Sequence, residues 1–457
     1  MSDGAAQAMG SPAPSPGGGA WWPRFAILLV VLLAWLPGLA TLPPLDRDES
    51  RFAEASRQMV ETGNFVDIRF AGTTRYNKPI GIYWLQAASA ALAGPAMRDR
   101  IFVYRLPSLL AGFLCLLMVY ECGRRLGMRH RALFASLLLG TTLLLVAESD
   151  IATTDAALLA TVIAAQLTMM RTYLSVRDSR YAKPGLARIM GGWAALGAGV
   201  LLKGPVILAV VGATALALSL WDREWRWLRS LRPLSGILVA AAIVAPWAIA
   251  IGYASHGAFY QQSLGHDFAA KILGGEESHG APPGYYLALA SFTFWPATLL
   301  LLPALADAVG QRRDPVYRYL LAWSGSVWLM FEFVPTKLPH YILPVWPALA
   351  LLCALWIGRA SIAKSMRGQT WLRAAGAAQF GLGAIGLVAA SLYLPPHNGG
   401  SLEWPALVAA ALVLAWGCAA ILFLLRQHYE RAAVLAVASA VLFYLLLGFA
   451  IVPQLHE

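Results

Sequence analysis

A dense group of charges follows the first apolar stretch of the chain, in PPLDRDESRFAEASRQMVETGNF at residues 43–65. Asp46, Asp48, Glu49 and Arg51 lie within this short segment. One acid at the start of a helix is explained by capping, because its side chain accepts a backbone N–H group. Three acids this close repel one another unless a cation or a substrate shares the site. The spacing therefore predicts a shared site, with helix capping as the alternative.

Two more ionisable residues lie at the outer ends of predicted membrane spans. Lys203 lies in AALGAGVLLKGPVILAVVG, and Asp155 lies in ESDIATTDAALLATV. An ionisable group in an apolar sequence that spans a membrane is costly and by default marks a functional site. The alternatives are a lysine that extends its side chain to the membrane interface and an aspartate that caps a helix.

The composition indicates an integral membrane protein. Of the 457 residues, 58% are hydrophobic and 13% are charged, whereas soluble globular chains have roughly 25% charged residues. Apolar stretches close to the roughly 20 residues that a helix needs to cross a bilayer recur along the sequence. We predict an all-α polytopic membrane protein with about thirteen transmembrane helices. They lie near residues 21–41, 101–122, 131–147, 153–174, 189–202, 205–221, 233–253, 285–306, 316–334, 341–358, 374–394, 404–425 and 432–452.

The basic residues orient these helices. Lys and Arg concentrate in alternate loops, as expected of loops that stay in the cytoplasm. These loops are residues 124–131, 171–188, 222–232, 311–318, 359–373 and 426–431. The intervening loops therefore face outward. The net charge of +11 is mostly a topology signal and does not imply nucleic-acid binding.

One transmembrane domain is expected at residues 21–452. Residues 1–20, rich in Gly, Pro, Ala and Ser, are predicted to be a disordered cytoplasmic leader. Residues 453–457 are expected to be a short outer tail, with no soluble C-terminal domain. Residues 42–100 form the longest outer loop, and the outer loop at 254–284, rich in Gly, is predicted to act as a mobile lid.

The first outer loop is predicted to contain juxtamembrane amphipathic helices. Phe52, Ala55, Met59 and Val60 form an apolar stripe with helical spacing, and Gly63 follows as a C-terminal cap. A second amphipathic or half-buried helix follows in RYNKPIGIYWLQAASAALAG. The charge cluster then lies at the amino end of a helix on the membrane surface.

The segment DESRFAEASRQM, followed by YNKPIGIYWL, resembles the first outer loop of the polyprenyl-phosphate-sugar-dependent glycosyltransferases of the GT-C superfamily. The similarity is strongest to the lipid A aminoarabinose transferases and the protein O-mannosyltransferase-like group. Three later segments fit the same pattern in order: LLKGPVILAV, HDFAAKILGGEESHGAPPGYY and PTKLPHYILPVWPALA.

This resemblance implies a GT-C-like fold and a glycosyltransferase that acts on the cell envelope, as in lipopolysaccharide modification. The donor would be a sugar on a polyprenyl phosphate such as undecaprenyl phosphate. The acceptor would be a lipid, glycan or protein. Membrane lipids are further expected partners, and nucleic acid is not. The chain would lie in a bacterial-type cytoplasmic membrane, with its active site facing the periplasm or the exterior.

The resemblance also implies roles for residues of the first loop and of a later turn. Asp48 matches the acid of the family's DE pair and is expected to be the general base, supported by Glu49. Arg51 and Lys78 match basic residues that bind the lipid phosphate, and Tyr341 matches a tyrosine placed to join them.

Further residues are assigned through the same family pattern or by their position. Asp155 matches a family position and is the second candidate base, and Lys203 matches another and is expected at the donor phosphate. Lys337 and His340 flank the KLPHY turn, and we expect both at the phosphate site, with a solvated loop as the alternative.

No cofactor is expected to be required, and a bound divalent cation is the alternative. The residues that could bind such a cation are His266, Asp267, Glu276, Glu277 and His279. Their spacing fits no standard metal site, and no metal site is predicted.

A transporter or flippase of a lipid-linked substrate is the alternative function, because buried Asp and Lys residues also suit ion-coupled transport. That function predicts charged or broken helices near the middle of the bilayer and two related halves of the chain. The ionisable residues of this sequence fall at the outer ends of the spans instead.

Overall fold

The computed structural model describes residues 21–44, 47–268, 281–361 and 370–452, and these ranges are nearly all α-helical. Helices of the first part are α1 (Trp22–Ala34), α2 (Leu36–Thr41), α3 (Arg47–Thr62), α4 (Gly81–Ala93), α5 (Ile101–Arg125), α6 (Ala132–Gly140), α7 (Leu143–Asp150), α8 (Asp155–Arg177), α9 (Leu186–Lys203), α10 (Val206–Asp222) and α11 (Pro233–Ala254). Those that follow are α12 (Ala258–Tyr260), α13 (Tyr285–Thr293), α14 (Thr298–Gly310), α15 (Pro315–Phe333), α16 (Trp346–Ala360), α17 (Thr370–His397), α18 (Trp404–Leu425) and α19 (Tyr429–Leu446).

Shorter elements connect these helices. A two-stranded antiparallel hairpin pairs β1 (Arg69–Phe70) with β2 (Thr73–Thr74). The 3₁₀ turns are Pro95–Met97, Arg129–Arg131, Arg226–Leu231 and Pro339–Val345, and the π-helical stretches are Gln261–Phe268 and Leu447–Ile451.

Eight helices of the described residues are long and apolar enough to cross a membrane. The count becomes nine if α6 and α7, which meet at a bend of 64°, form one broken span. Helices α1, α10 and α14 are apolar but shorter. The prediction of an all-α, multi-span membrane protein is confirmed, and every predicted span coincides with one helix or with consecutive helices. The count of about thirteen spans stays a prediction.

Contacts between helix termini define two ends of the bundle. At one end, Asp155 at the start of α8 pairs with Lys203 at the end of α9. At the other, Arg177 at the end of α8 and Arg318 near the start of α15 both pair with Asp222 at the end of α10. We call these the site end and the arginine end. The arginine end carries basic loops of the kind that stay in the cytoplasm.

The loop between α2 and α5 contains the predicted amphipathic helix. In α3, Phe52 and Met59 are buried in a cluster shared with α4 and α9. The helix ends at Gly63, whose φ of +69° suits a residue without a Cβ atom. Helix α4 begins at Gly81, where a Cβ atom would lie 2.7 Å from the carbonyl oxygen of Leu201. Glycine therefore lets this loop pack directly on the end of α9.

Candidate functional site

Asp48 lies in the first turn of α3 beside two arginines. Its Oδ1 atom is 3.5 Å from Nη1 of Arg51 and 3.0 Å from Nη2 of Arg75. The Asp48 side chain is 54% exposed, whereas that of Arg75 is 9% exposed and lies over the ring of Phe52. Burial raises the pKa of Tyr83, which packs against the same ring, to about 12. Tyr83 is neutral at pH 7 with or without this shift, and Asp48 is a partly exposed acid that lies beside two arginines.

Glu49 is fully buried, in contrast to its neighbour. Its oxygens accept hydrogen bonds from Nε and Nη2 of Arg105 at 2.7 and 3.0 Å, and Oε1 also accepts from the backbone N–H of Ala152 at 2.8 Å. Arg105 donates as well to three backbone carbonyls in residues 39–43. This bidentate pair ties the start of α3 to α2, α5 and the segment before α8. Its geometry is that of a positioning residue, and the predicted catalytic role of Glu49 stays a prediction.

Asp155, Lys203 and Tyr341 form a second group. Lys203 Nζ donates to Asp155 Oδ1 at 2.6 Å, and both side chains are almost fully buried. Asp155 Oδ2 accepts from the hydroxyl of Thr154 at 3.1 Å. The Lys203 ammonium also lies 5.5 Å from the centroid of the Tyr341 ring, a cation–π distance. Helices α8 and α9 and the turn before α16 therefore meet at one point.

His340 and Lys337 come from that same turn. His340 Nδ1 lies 3.9 Å from Oε1 of Glu148, and the two rings of His340 and Tyr341 meet edge to face. The other oxygen of Glu148 accepts from the hydroxyl of Thr153 at 3.0 Å. Lys337 is buried and donates to the backbone carbonyl three residues earlier. In addition to its predicted role at the phosphate site, the Lys337 ammonium therefore holds this turn in place.

The two groups are joined through the segment between α7 and α8. Ala152, which donates to Glu49, lies between Glu148 and Asp155 in the chain. Helix α3, helix α8 and the turn before α16 are therefore anchored to one short stretch of backbone. The structure thus brings most of the predicted site residues to one end of the bundle.

Lys78 approaches this region from the first loop. Its side chain is half-buried, and it lies three residues before Gly81, which packs on the end of α9. The adjacent Asn77 accepts a hydrogen bond from Gln262 at 3.4 Å, which links this loop to the π-helical stretch. The convergence of Arg51, Lys78 and Tyr341 on one phosphate stays a prediction.

Three charged residues of this region were not singled out from the sequence: Arg75, Arg105 and Glu148. Arg105 and Glu148 interrupt apolar sequence just as Asp155 does, so the rule that buried charges mark sites could have found them. Arg75 lies three residues before Lys78. It carries no comparable signal, because a single arginine in a polar loop is common.

The residues that could bind a metal lie outside the described side chains. They are His266, Asp267, Glu276, Glu277 and His279. Among the side chains that are described, no group of three or more His, Cys, Asp or Glu could hold an ion. Of the predicted lid, residues 269–280 also lie outside the described ranges, and residues 258–268 are helical. The metal site and the lid both stay predictions.

This architecture is that of a multi-span, all-α membrane protein. The chain matches the crystal structure of ArnT from Cupriavidus metallidurans bound to undecaprenyl phosphate with a TM-score of 0.76, over 95% of this chain and 78% of that one, at 22% identity. The apo state of the same protein matches with a TM-score of 0.71 over 94% and 77% of the two chains, at 23% identity.

Sequence comparison identifies relatives of the same kind. Residues 77–249 match the family described as dolichyl-phosphate-mannose-protein mannosyltransferase. The undecaprenyl phosphate-alpha-4-amino-4-deoxy-L-arabinose arabinosyl transferase of Pseudomonas paraeruginosa is 30% identical over 77% of this chain and 63% of its own length. That of Aeromonas salmonicida is 29% identical over 89% and 73%. The chain thus spans a little under two thirds of the first relative. The resemblance to GT-C polyprenyl-phosphate-sugar-dependent glycosyltransferases is confirmed.

Proposed function

We propose that this chain transfers a sugar from a polyprenyl-phosphate donor to an acceptor at the outer face of the cytoplasmic membrane. The observation that carries the proposal is the grouping at the site end. A partly exposed carboxylate lies on α3, which is anchored to the same short backbone segment as a buried lysine–aspartate pair. A sugar transfer from a lipid phosphate needs these two elements, a base for the acceptor and cations for the leaving phosphate.

The donor phosphate is proposed to lie near Lys203. An ammonium has three N–H donors, and one of those of Lys203 is directed to Asp155. Lys78 in the packed loop and Arg51 beside Asp48 add positive charge, and Lys337 and His340 in the turn before α16 are proposed to bind the phosphate as well. As the bond to the sugar breaks, these cations stabilise the charge that develops on the phosphate. The names of the relatives specify undecaprenyl phosphate, and we propose a carrier of that kind.

Asp48 is proposed to be the general base. Of the three predicted catalytic acids, Glu49 is buried with both oxygens hydrogen bonded and Asp155 is bound to Lys203, whereas Asp48 is 54% exposed. An acceptor hydroxyl that arrives from the aqueous side can therefore reach Asp48 most directly. Glu49 then fixes the start of α3, and Asp155 fixes the ammonium of Lys203.

The proposed reaction requires no cofactor, because the base and the cations belong to the chain itself. The acceptor is proposed to be a lipid, glycan or protein that offers a hydroxyl or a phosphate. The basic loops at the arginine end support an orientation with that end in the cytoplasm, the site end outside and about thirteen spans between them.

The test uses the purified chain in liposomes with labelled sugars on undecaprenyl phosphate, including the aminoarabinose donor named for the relatives, and a cell-envelope acceptor fraction. We expect transfer of label and release of undecaprenyl phosphate, with Asp48→Asn as the inactive control. Movement of intact donor across the bilayer without transfer would support a flippase and overturn the proposal. The absence of both sugar transfer and donor movement across the bilayer, with every donor tested, would also overturn the proposal.

A further inference from the structure

An apolar cavity lies between three helices of the bundle. It has a volume of about 290 Å³ and is lined by α8, α9, α10, the 3₁₀ turn Arg226–Leu231 and the start of α11. Its walls are apolar apart from Thr168 and the indole of Trp193. The N–H of that indole donates to the carbonyl of Leu231 at 2.9 Å, which fixes the ring as one wall. The volume approaches the range of small-molecule sites, roughly 300–1,000 Å³.

The cavity extends from the interior of the bundle to the arginine end. Ala165 and Met169 line it ten and fourteen residues after Asp155, which is roughly 15–21 Å along a helix axis. Leu231 and Pro233 line its other end, beyond the terminus of α10. An elongated apolar cavity that starts at the polar boundary has the shape that an acyl chain requires.

Three arginines are sequence neighbours of residues that line this cavity toward the arginine end. Arg188 precedes the lining residue Ile189, Arg229 follows the lining residue Leu228, and Arg232 lies between two lining residues. All three arginines are exposed. Within the described ranges of the chain, none of the three forms a salt bridge with a carboxylate.

Two acids close in sequence to Arg229 and Arg232 form ion pairs with other arginines. Asp222 pairs with Arg177 and Arg318, and Glu224 pairs with Arg177 at 2.6 Å. Positive charge therefore remains near the arginine end of the cavity. An anionic head group complements this charge, and a neutral head group does not.

We propose that this cavity binds one acyl chain of an anionic phospholipid, with the phosphate of its head group at Arg188, Arg229 and Arg232. The polyprenyl donor is disfavoured as occupant, because the cations proposed for its phosphate lie at the opposite end of the bundle. The proposal does not depend on the transferase activity. It identifies a lipid site on the cytoplasmic side that can hold α8 and α9 in place from the end remote from the reaction.

The first test is photolabelling of the purified full-length chain with phosphatidylglycerol that carries a diazirine in one acyl chain. We expect labelled peptides from α9 and α10, and protection by excess unlabelled phosphatidylglycerol. Arg229→Gln combined with Arg232→Gln should raise the concentration for half-maximal labelling about 30-fold. Equal labelling by a phosphatidylcholine probe would overturn the proposed head-group recognition. Protection by a polyprenyl phosphate would assign the cavity to the donor tail and also overturn the proposal.

A cavity-filling variant provides the second test. Gly212 lines the cavity, and a Cβ atom at this position would meet nothing within 4 Å. Gly212→Leu should therefore abolish labelling while the melting temperature is preserved. The matched control is Gly191→Leu, because Gly191 is also an exposed helical glycine with open space around it but does not line the cavity. Undiminished labelling of a folded Gly212→Leu variant would contradict the proposal.

Discussion

Both ends of the bundle contain a buried carboxylate with cationic partners, but the two carboxylates are bound differently. At the arginine end, Asp222 accepts hydrogen bonds from Arg318 at 2.6 Å and Tyr173 at 2.8 Å, and its other contact is Arg177 at 2.9 Å. At the site end, the hydrogen-bond partners of Asp155 are the ammonium of Lys203 and the hydroxyl of Thr154.

This difference distinguishes the structural ion-pair cluster at the arginine end from the candidate binding site at the site end. Planar guanidinium groups around one carboxylate join three helices in a fixed geometry. An ammonium is a compact charge with three donors, so one bond to Asp155 leaves Lys203 the capacity to bind a phosphate as well. A buried charge in a membrane protein is therefore not by itself evidence of catalysis. The type of cation and the number of its partners decide between the two roles.

Asp48→Asn should reduce activity more than any other variant, because it keeps the shape of the side chain and removes the base. We expect turnover to fall about 10²- to 10⁴-fold on a hydroxyl acceptor, with donor affinity nearly unchanged. Steady-state kinetics and a donor-binding assay measure the two quantities. An acceptor that is already an ionised phosphate should show a smaller loss. If Asp48→Asn kept full activity on a hydroxyl acceptor, Asp155 would become the candidate base.

Asp222→Asn should affect stability and leave donor binding unchanged. Loss of this carboxylate leaves Arg177 and Arg318 partly buried beside a neutral amide, so we expect the free energy of unfolding to fall by about 2 kcal/mol. Thermal unfolding in detergent gives the stability, and the donor Kd is measured on the folded fraction. A change in the donor Kd without a change in stability would contradict a purely structural role for Asp222.

Lys78→Ala should weaken donor binding about tenfold, because a charge-assisted bond to the phosphate contributes about 1.4 kcal/mol or more. Folding should be preserved, since the Lys78 side chain is only half-buried. Lys183→Ala is the matched control, because Lys183 is an exposed lysine between α8 and α9 at the arginine end. Equal donor affinity in the two variants would exclude Lys78 from the phosphate site.

The smallest expected stability effect is that of Arg51→Ala. The pair with Asp48 is long, at 3.5 Å, and both side chains are more than a third exposed. Such pairs contribute about 0.2–1 kcal/mol, and screening by salt weakens them further. Thermal unfolding at low and high salt measures this contribution. A loss well above 1 kcal/mol would mean that Arg51 holds α3 in place.

Much of the site could be predicted because its residues carry local signals. Asp155 and Lys203 stand out as charges in apolar sequence, and the structure pairs them at 2.6 Å. The pairing itself was not predictable, because the two residues are 48 positions apart. Glu49 illustrates the opposite case. Its place in the family's DE pair implied that it supports Asp48, and no local signal indicated that its oxygens bind Arg105, 56 positions away.

The membrane class, the helical segments, the amphipathic character of α3 and the resemblance to a family could all be read from the amino-acid sequence. These properties depend on composition, hydrophobic periodicity and short motifs, which are local. The exposed carboxylate, the cations that share a partner and the apolar cavity become visible only in the folded chain. Burial and ion pairing depend on segments far apart in the chain, so local sequence does not predict them. The short stretch from Glu148 to Asp155, for example, receives contacts from α3, α9 and the turn before α16.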